Sequence, residues 1–314
     1  MKKYIYSIMM VLGLLSLSSC LSDRIESESV IKDTTVEQND FDRWLEVNFL
    51  KPYNIEFMYR YALNESDKGF YTVPAGYEPS IIYAHLVKYL CIDTYDEIAG
   101  VTFTRSYFPK MFFLIGTWEY RNNGSIVLGT AEAGKKIMLA GVNFLPDVFE
   151  YYEGAELEEQ INHYYIKTIH HEFTHILNQT KVFSDAFKQI TASTYVADAC
   201  FDTDQYWRGR GYITDYAQSE PREDFAEMLA EYVTHSAAWW EEQMKAASKE
   251  TDEVRKTSPS AENGRVLIES KLDIVRNYMQ DSWSSDIDKL RDVINRRMAD
   301  VVAGKVDLNT VKIL

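Results

Sequence analysis

A mixed α+β domain, with one small twisted sheet followed by a long helical half, is the fold class this sequence predicts. Two β-rich runs, MFFLIGTW at 111–118 and SIVL at 125–128, are separated by a stretch containing Asn123-Gly124. Asn-Gly favours a tight hairpin turn. A third run covers 136–142, with Gly129, Gly134 and Gly141 marking bulges or close backbone approach. From Gly154 onward the apolar residues switch to helical spacing, and no internal repeat or low-complexity run interrupts the chain.

Composition bounds the function. In 314 residues, 46% are hydrophobic and 26% charged, which supplies a sizeable core and excludes disorder for most of the length. Forty-eight acidic against 33 basic residues leave a formal charge of -15, which repels nucleic acid and anionic lipid surfaces. The aromatic share of 14% suits a well-filled core first and a peptide- or sugar-handling surface second.

The N-terminus is read as targeting. Lys2 and Lys3 precede an uncharged stretch, residues 4–19, that is too short to span a membrane comfortably. It ends Leu17-Ser18-Ser19-Cys20, which resembles the lipobox of bacterial lipoproteins and implies a lipid anchor on Cys20. Residues 1–19 are then a signal peptide, 20–39 an acidic tether and 40–314 the folded domain. Cys91 and Cys200 form no framework and no CxxC metal pattern; they are read as buried or paired, without a catalytic role.

Periodicity assigns the remaining elements. Phe41, Trp44, Leu45 and Phe49 predict a helix over 40–50, and alternation of Ile55, Phe57, Tyr59 and Tyr61 predicts a strand over 53–61. A helix follows Pro79 over 80–90. Near the C-terminus, helices are expected over 234–247, 266–279 and 286–302, with the charged stretch 248–263 as an exposed loop.

One segment carries chemistry. Leu157, Ile161, Tyr164, Tyr165, Thr168 and Ile169 repeat at helical spacing up to His171-Glu172-Phe173-Thr174-His175, an HExxH motif. Residues i and i+4 share a helix face, so both imidazoles can converge on one metal ion with Glu172 beside it. His170 points about 100° away on an ideal helix and is expected to be packed or hydrogen-bonded. His85, His163 and His235 have no informative spacing.

Catalytic zinc takes three protein ligands and keeps a fourth position open. A metzincin would carry glycine at position 178 and histidine at 181, where this chain has Asn178 and Lys181. The third ligand must come from another helix. Pro221 opens one, with Ser219 able to cap it, and four acidic residues compete there: Glu223, Asp224, Glu227 and Glu231. Phe225, Met228, Leu229 and Tyr232 mark its buried face. Glu223 and Glu227, one turn apart, can point together toward the first helix, Glu223 to the metal and Glu227 to a ligand histidine. Asp224 and Glu231 read as solvated.

HExxH with a downstream glutamate resembles the gluzincin branch of zincin-like zinc peptidases, and YAQSEPREDFAE is similar to the ligand helix of the anthrax lethal factor type of catalytic domain. That resemblance implies Zn²⁺ bound by His171, His175 and Glu223, Glu172 as general base, and Tyr216 as oxyanion donor; it also implies the run 136–142 as the sheet edge nearest the motif helix, where an extended peptide could add as a strand. Over nearly the whole mature chain, the lipobox, FPKMFFLIG, IVLGTAEAGKKIMLAGVN, HHEFTHILNQ and IDKLRDVINRRM resemble zinc metallopeptidase lipoproteins found beside TonB-dependent import systems. This implies an outer-membrane lipoprotein, on the periplasmic or surface side, that cleaves a peptide or protein substrate. A TonB-dependent transporter and its substrate-binding lipoprotein are the implied partners. Three rivals remain at this point: a non-catalytic zinc-retaining accessory lipoprotein, an amidase acting on a non-peptide bond, and a structural zinc site with Cys200 as fourth ligand.

Overall fold

Phe41, Trp44 and Leu45 bury one face of the helix Asp40–Leu45, whose N-cap Asn39 and Asp42 satisfy each other's backbone N–H in a capping box. The computed structural model describes residues 37–65, 69–120, 126–132, 136–196 and 206–312. Cys20, Cys200, Gly134 and the turn residues 121–125 lie outside them. The compact unit spans Asn39–Leu314.

The first helix passes through a π-helical turn, Glu46–Leu50, and ends at Tyr53, where Asn54 adopts the left-handed conformation at φ 54°. That cap shortens the expected 53–61 strand to Glu56–Met58 (β1). The alternation still reports burial, because Ile55, Phe57 and Tyr59 all face the core. The expected 80–90 helix starts earlier, at Tyr77, and runs to Leu86 before a second π turn, Val87–Ile92.

Met111–Leu114 (β2) lies parallel to β1, and Lys136–Leu139 (β6) lies parallel to β2. Glu119–Tyr120 (β3) and Ile126–Val127 (β4) form a separate antiparallel ladder, so the expected pairing of the runs 111–118 and 125–128 is corrected: Met111–Leu114 is taken up by β1 and β6, and the residues after 118 pair with 126–127 instead. Gly129–Glu132 (β5) pairs antiparallel with β6 and closes the order β1-β2-β6-β5. The expected edge position of 136–142 is therefore corrected. Lys136–Leu139 is an interior strand, and β5 is the edge that meets the motif helix. A Cβ at Gly129 would lie 2.7 Å from the Thr168 methyl carbon, so the absent side chain allows this approach. Gly141, at φ 75°, is excluded from carrying a side chain by the Trp118 ring 2.1 Å from where its Cβ would stand.

Behind the sheet the chain is helical. Gly154–Ile161 continues through a π turn, Asn162–Ile166, into the motif helix Lys167–Thr180. The ligand helix is Pro221–Thr234. Asn162 Nδ2 donates to Thr234 O at 2.8 Å, tying the π turn to the far end of that helix. Ser236 caps the next helix, Ala237–Arg255, which runs past the expected loop start because Met244, Ala247, Thr251 and Val254 extend its buried face. Gly264–Trp283 and Ile287–Val302 complete the body. No helix among the described residues is long and apolar enough to cross a membrane.

Asp224, expected in solvent, is fully buried. Its Oδ2 accepts from Lys271 Nζ at 2.6 Å and from the Tyr195 hydroxyl at 2.7 Å, and Lys271 sits 4.0 Å from the Tyr212 ring centroid. Burial pushes the Asp224 carboxyl up and the Lys271 amine down against their mutual attraction. Such a pair adds little net stability, yet removing one partner strands the other. Lys271→Ala is expected to destabilise the protein by about 3–5 kcal/mol, read from the urea midpoint; an unchanged midpoint would mean that Asp224 tolerates burial alone.

Candidate metal centre

The motif and ligand helices pack antiparallel, which the contact register shows directly: His175 meets Glu223, His171 meets Glu223 and Glu227, and Lys167 meets Glu227 and Glu231. Pro221 occupies the first turn of the ligand helix, where its missing N–H costs nothing. Glu220 is the N-cap residue, and Ser219 donates to Tyr216 O at 2.8 Å instead of capping.

Three ligand atoms converge. His171 Nε2 lies 3.0 Å from Glu223 Oε2 and 3.0 Å from His175 Nε2, and His175 Nε2 lies 3.3 Å from Glu223 Oε2. Tetrahedral ligands with zinc bonds of roughly 2.0–2.2 Å stand roughly 3.3 Å apart, so this donor set fits that ion. The electrostatics fit as well. Burial disfavours a charged His171, but hydrogen bonds to Glu223 and Glu227 outweigh it and raise its pKa to about 10. Burial likewise opposes an ionised Glu223, while the two imidazoles hold its carboxyl well below the usual carboxylate range. Two carboxylates facing one imidazole describe a place built for positive charge.

Glu227 takes the supporting position expected of it. Its Oε1 pairs with His171 Nδ1 at 2.7 Å, leaving Nε2 for the ligand cluster. Its Oε2 accepts from Thr214 Oγ1 at 2.8 Å. Glu231, expected in solvent, is buried instead, with Lys167 Nζ 2.9 Å from its Oε1. Both corrections to the ligand helix share a cause: all residues from Asp224 to Thr234 are buried, so the helix has no solvated face there.

Glu172 and Tyr216 border two clefts, of about 690 and 520 Å³, that meet over the ligand cluster. Gly129 of β5 borders both. Tyr216 stands in a short 3-10 turn, with its ring centroid 6.1 Å from that of His171. Burial, followed by the charge of Glu223, pushes its phenol pKa up and keeps the hydroxyl a donor. His170 is buried as expected: Tyr95 Oη is 3.1 Å from its Nδ1, and burial lowers its pKa to about 3. Cys91, next to it, is a buried free thiol.

Lys167, Thr214 and His235 carry the surrounding network without having been marked as site residues. Lys167 precedes His171 by four residues and Glu231 follows Glu227 by four, so the helical period that located the ligands extends one turn further on each helix. Thr214 lies in a loop and has no such signal.

A cation site with three side-chain ligands, open to clefts and flanked by another carboxylate, has the layout shared by catalytic metal centres. The chain belongs to the family described as "Putative zinc-binding metallo-peptidase", whose model matches residues 34–288. It is also similar to a protein described in those same words from Bacteroides caccae, known from a crystal structure. The two are 34% identical, the match covers 90% of this chain and 100% of that one, and the TM-score is 0.68. No curated protein matches the chain.

Glu223→Ala is expected to remove most bound zinc from a protein whose circular dichroism is unchanged. Metal content measured beside wild type tests this, and equal zinc in both would mean another third ligand.

Proposed function

We propose that this chain is a zinc-dependent peptidase of the gluzincin type, with a zincin-like catalytic domain. The observation that carries the reading is the convergence of His171 Nε2, His175 Nε2 and Glu223 Oε2 beside clefts bordered by Glu172 and Tyr216. His171, His175 and Glu223 would hold zinc there, and the ion would supply a lowered pKa for a water molecule and polarisation of a substrate carbonyl. Glu172 accepts the proton of the attacking water and delivers it to the leaving amine. Tyr216 donates a hydrogen bond to the carbonyl oxygen as it gains charge. Glu227 holds the His171 tautomer throughout. The substrate is an extended peptide laid along β5, which ends the sheet among the described residues and places Gly129 at both clefts.

The lipobox supports a lipid anchor on Cys20, and the acidic stretch behind it supports a tether that holds the catalytic domain off the membrane. An outer-membrane site beside a TonB-dependent transporter and its substrate-binding lipoprotein completes the reading, on the sequence resemblance alone.

Two experiments test it. Glu172→Gln is expected to keep zinc and lose peptide-library cleavage by about 10²–10⁴-fold, and Tyr216→Phe to lower kcat by about 10²-fold; cleavage by Glu172→Gln at the wild-type rate would rule out the mechanism. Cys20→Ser is expected to move the protein from the membrane to the soluble fraction of a Gram-negative host, and unchanged fractionation would dismiss the anchor.

A further inference from the structure

A chain of buried charges leads away from the metal centre. Glu227 and Glu231 stand one turn apart on the same face of the ligand helix, with side-chain exposures of only 5% and 7%. Two such carboxylates repel each other and lose their hydration. Lys167 is the cation between them, 3.4 Å from Glu227 Oε2 and 2.9 Å from Glu231 Oε1, and is itself 14% exposed. Glu231 Oε2 lies 3.1 Å from His235 Nδ1, and His235 Nε2 lies 3.6 Å from Glu159 Oε2 at the wall of the larger cleft. The His235 ring stacks on Trp239 with centroids 3.9 Å apart.

The two oxygens of Glu227 have separate tasks. Oε1 meets His171 Nδ1, while Oε2 is held by Thr214 and Lys167. The rotation of this carboxylate sets the plane of the His171 imidazole, and Lys167, with Thr214, restrains that rotation from Oε2. Lys167 also reaches the centre from the same helix as His171, one turn away, so it holds the two helices in the register the ligands require.

We infer that Lys167 is a positioning residue for zinc, acting through Glu227 on His171. This rests on the metal-site reading above and adds to it a requirement for a cation at this position. Lys167 lines the larger cleft but reaches the candidate ligands only through Glu227, so its effect is read in zinc affinity.

Chelator competition with Zn²⁺ on the purified full-length protein tests the inference. Lys167→Met is expected to weaken zinc binding by about tenfold or more, and Lys167→Arg to restore most of the loss. Because the effect passes through Glu227, Lys167→Met/Glu227→Gln should bind zinc no more weakly than Glu227→Gln alone. If Lys167→Met does not fold, Lys167→Met/Glu231→Gln removes one charge of each sign and should bind about tenfold more weakly than Glu231→Gln. Wild-type affinity in a folded Lys167→Met protein, or losses that add in the Glu227 double variant, would overturn the inference while leaving the metal site standing. A wild-type protein that binds no zinc would overturn both.

Discussion

Burying a row of carboxylates between two helices is the constraint on which the rest of this structure depends. Taking one carboxylate out of water costs several kcal/mol unless a partner meets it, and the ligand helix buries Glu227 and Glu231 and half-buries Glu223 along one face. The motif helix answers with His175, His171 and Lys167 at the same four-residue interval in the opposite direction. The two rows match only when the helices run antiparallel in a single register. A slip of one residue would leave unpaired charge in the interior, so the chemistry of the site and the packing of the helices specify each other.

The surrounding elements hold that register. Lys271 of Gly264–Trp283 meets Asp224, the residue next to Glu223, and gives the ligand helix a second point of attachment. At the far end, Asn162 in the π turn accepts the role of anchor by donating to the last carbonyl of the ligand helix. π turns within helices are rare and often adjoin functional sites; this one leads directly into the motif helix. On the sheet side, Gly129 lets β5 approach Thr168 closely, which brings a strand edge beside the clefts. The outcome is a set of paired charges lining the same cleft as Glu172 and Tyr216.

Much of this was legible in the residues. HExxH at a helical interval brings two imidazoles onto one face by geometry alone, and the i, i+4 relation of Glu223 and Glu227 places two carboxylates on one face of another helix. The long helices were legible for the same reason: their signals are local. The strand order was not. Parallel pairing of Met111–Leu114 with Lys136–Leu139 joins segments over twenty residues apart, and nothing in either marks it as interior or edge. Asp224 and Glu231 misled because an acidic residue on a helix reads as solvated until its cation is known, and those cations, Lys271 and Lys167, come from distant parts of the chain.

The sequence by itself determined which residues can bind a metal and on which helices they stand, because a helix converts spacing into direction. Only the tertiary structure decided that the two helices meet antiparallel, that Lys167 and Lys271 complete the buried charges, and that β5 forms the edge of the cleft. Those are long-range pairings, fixed by the collective cost of burying charge and of closing the core, and no local pattern in the chain encodes them.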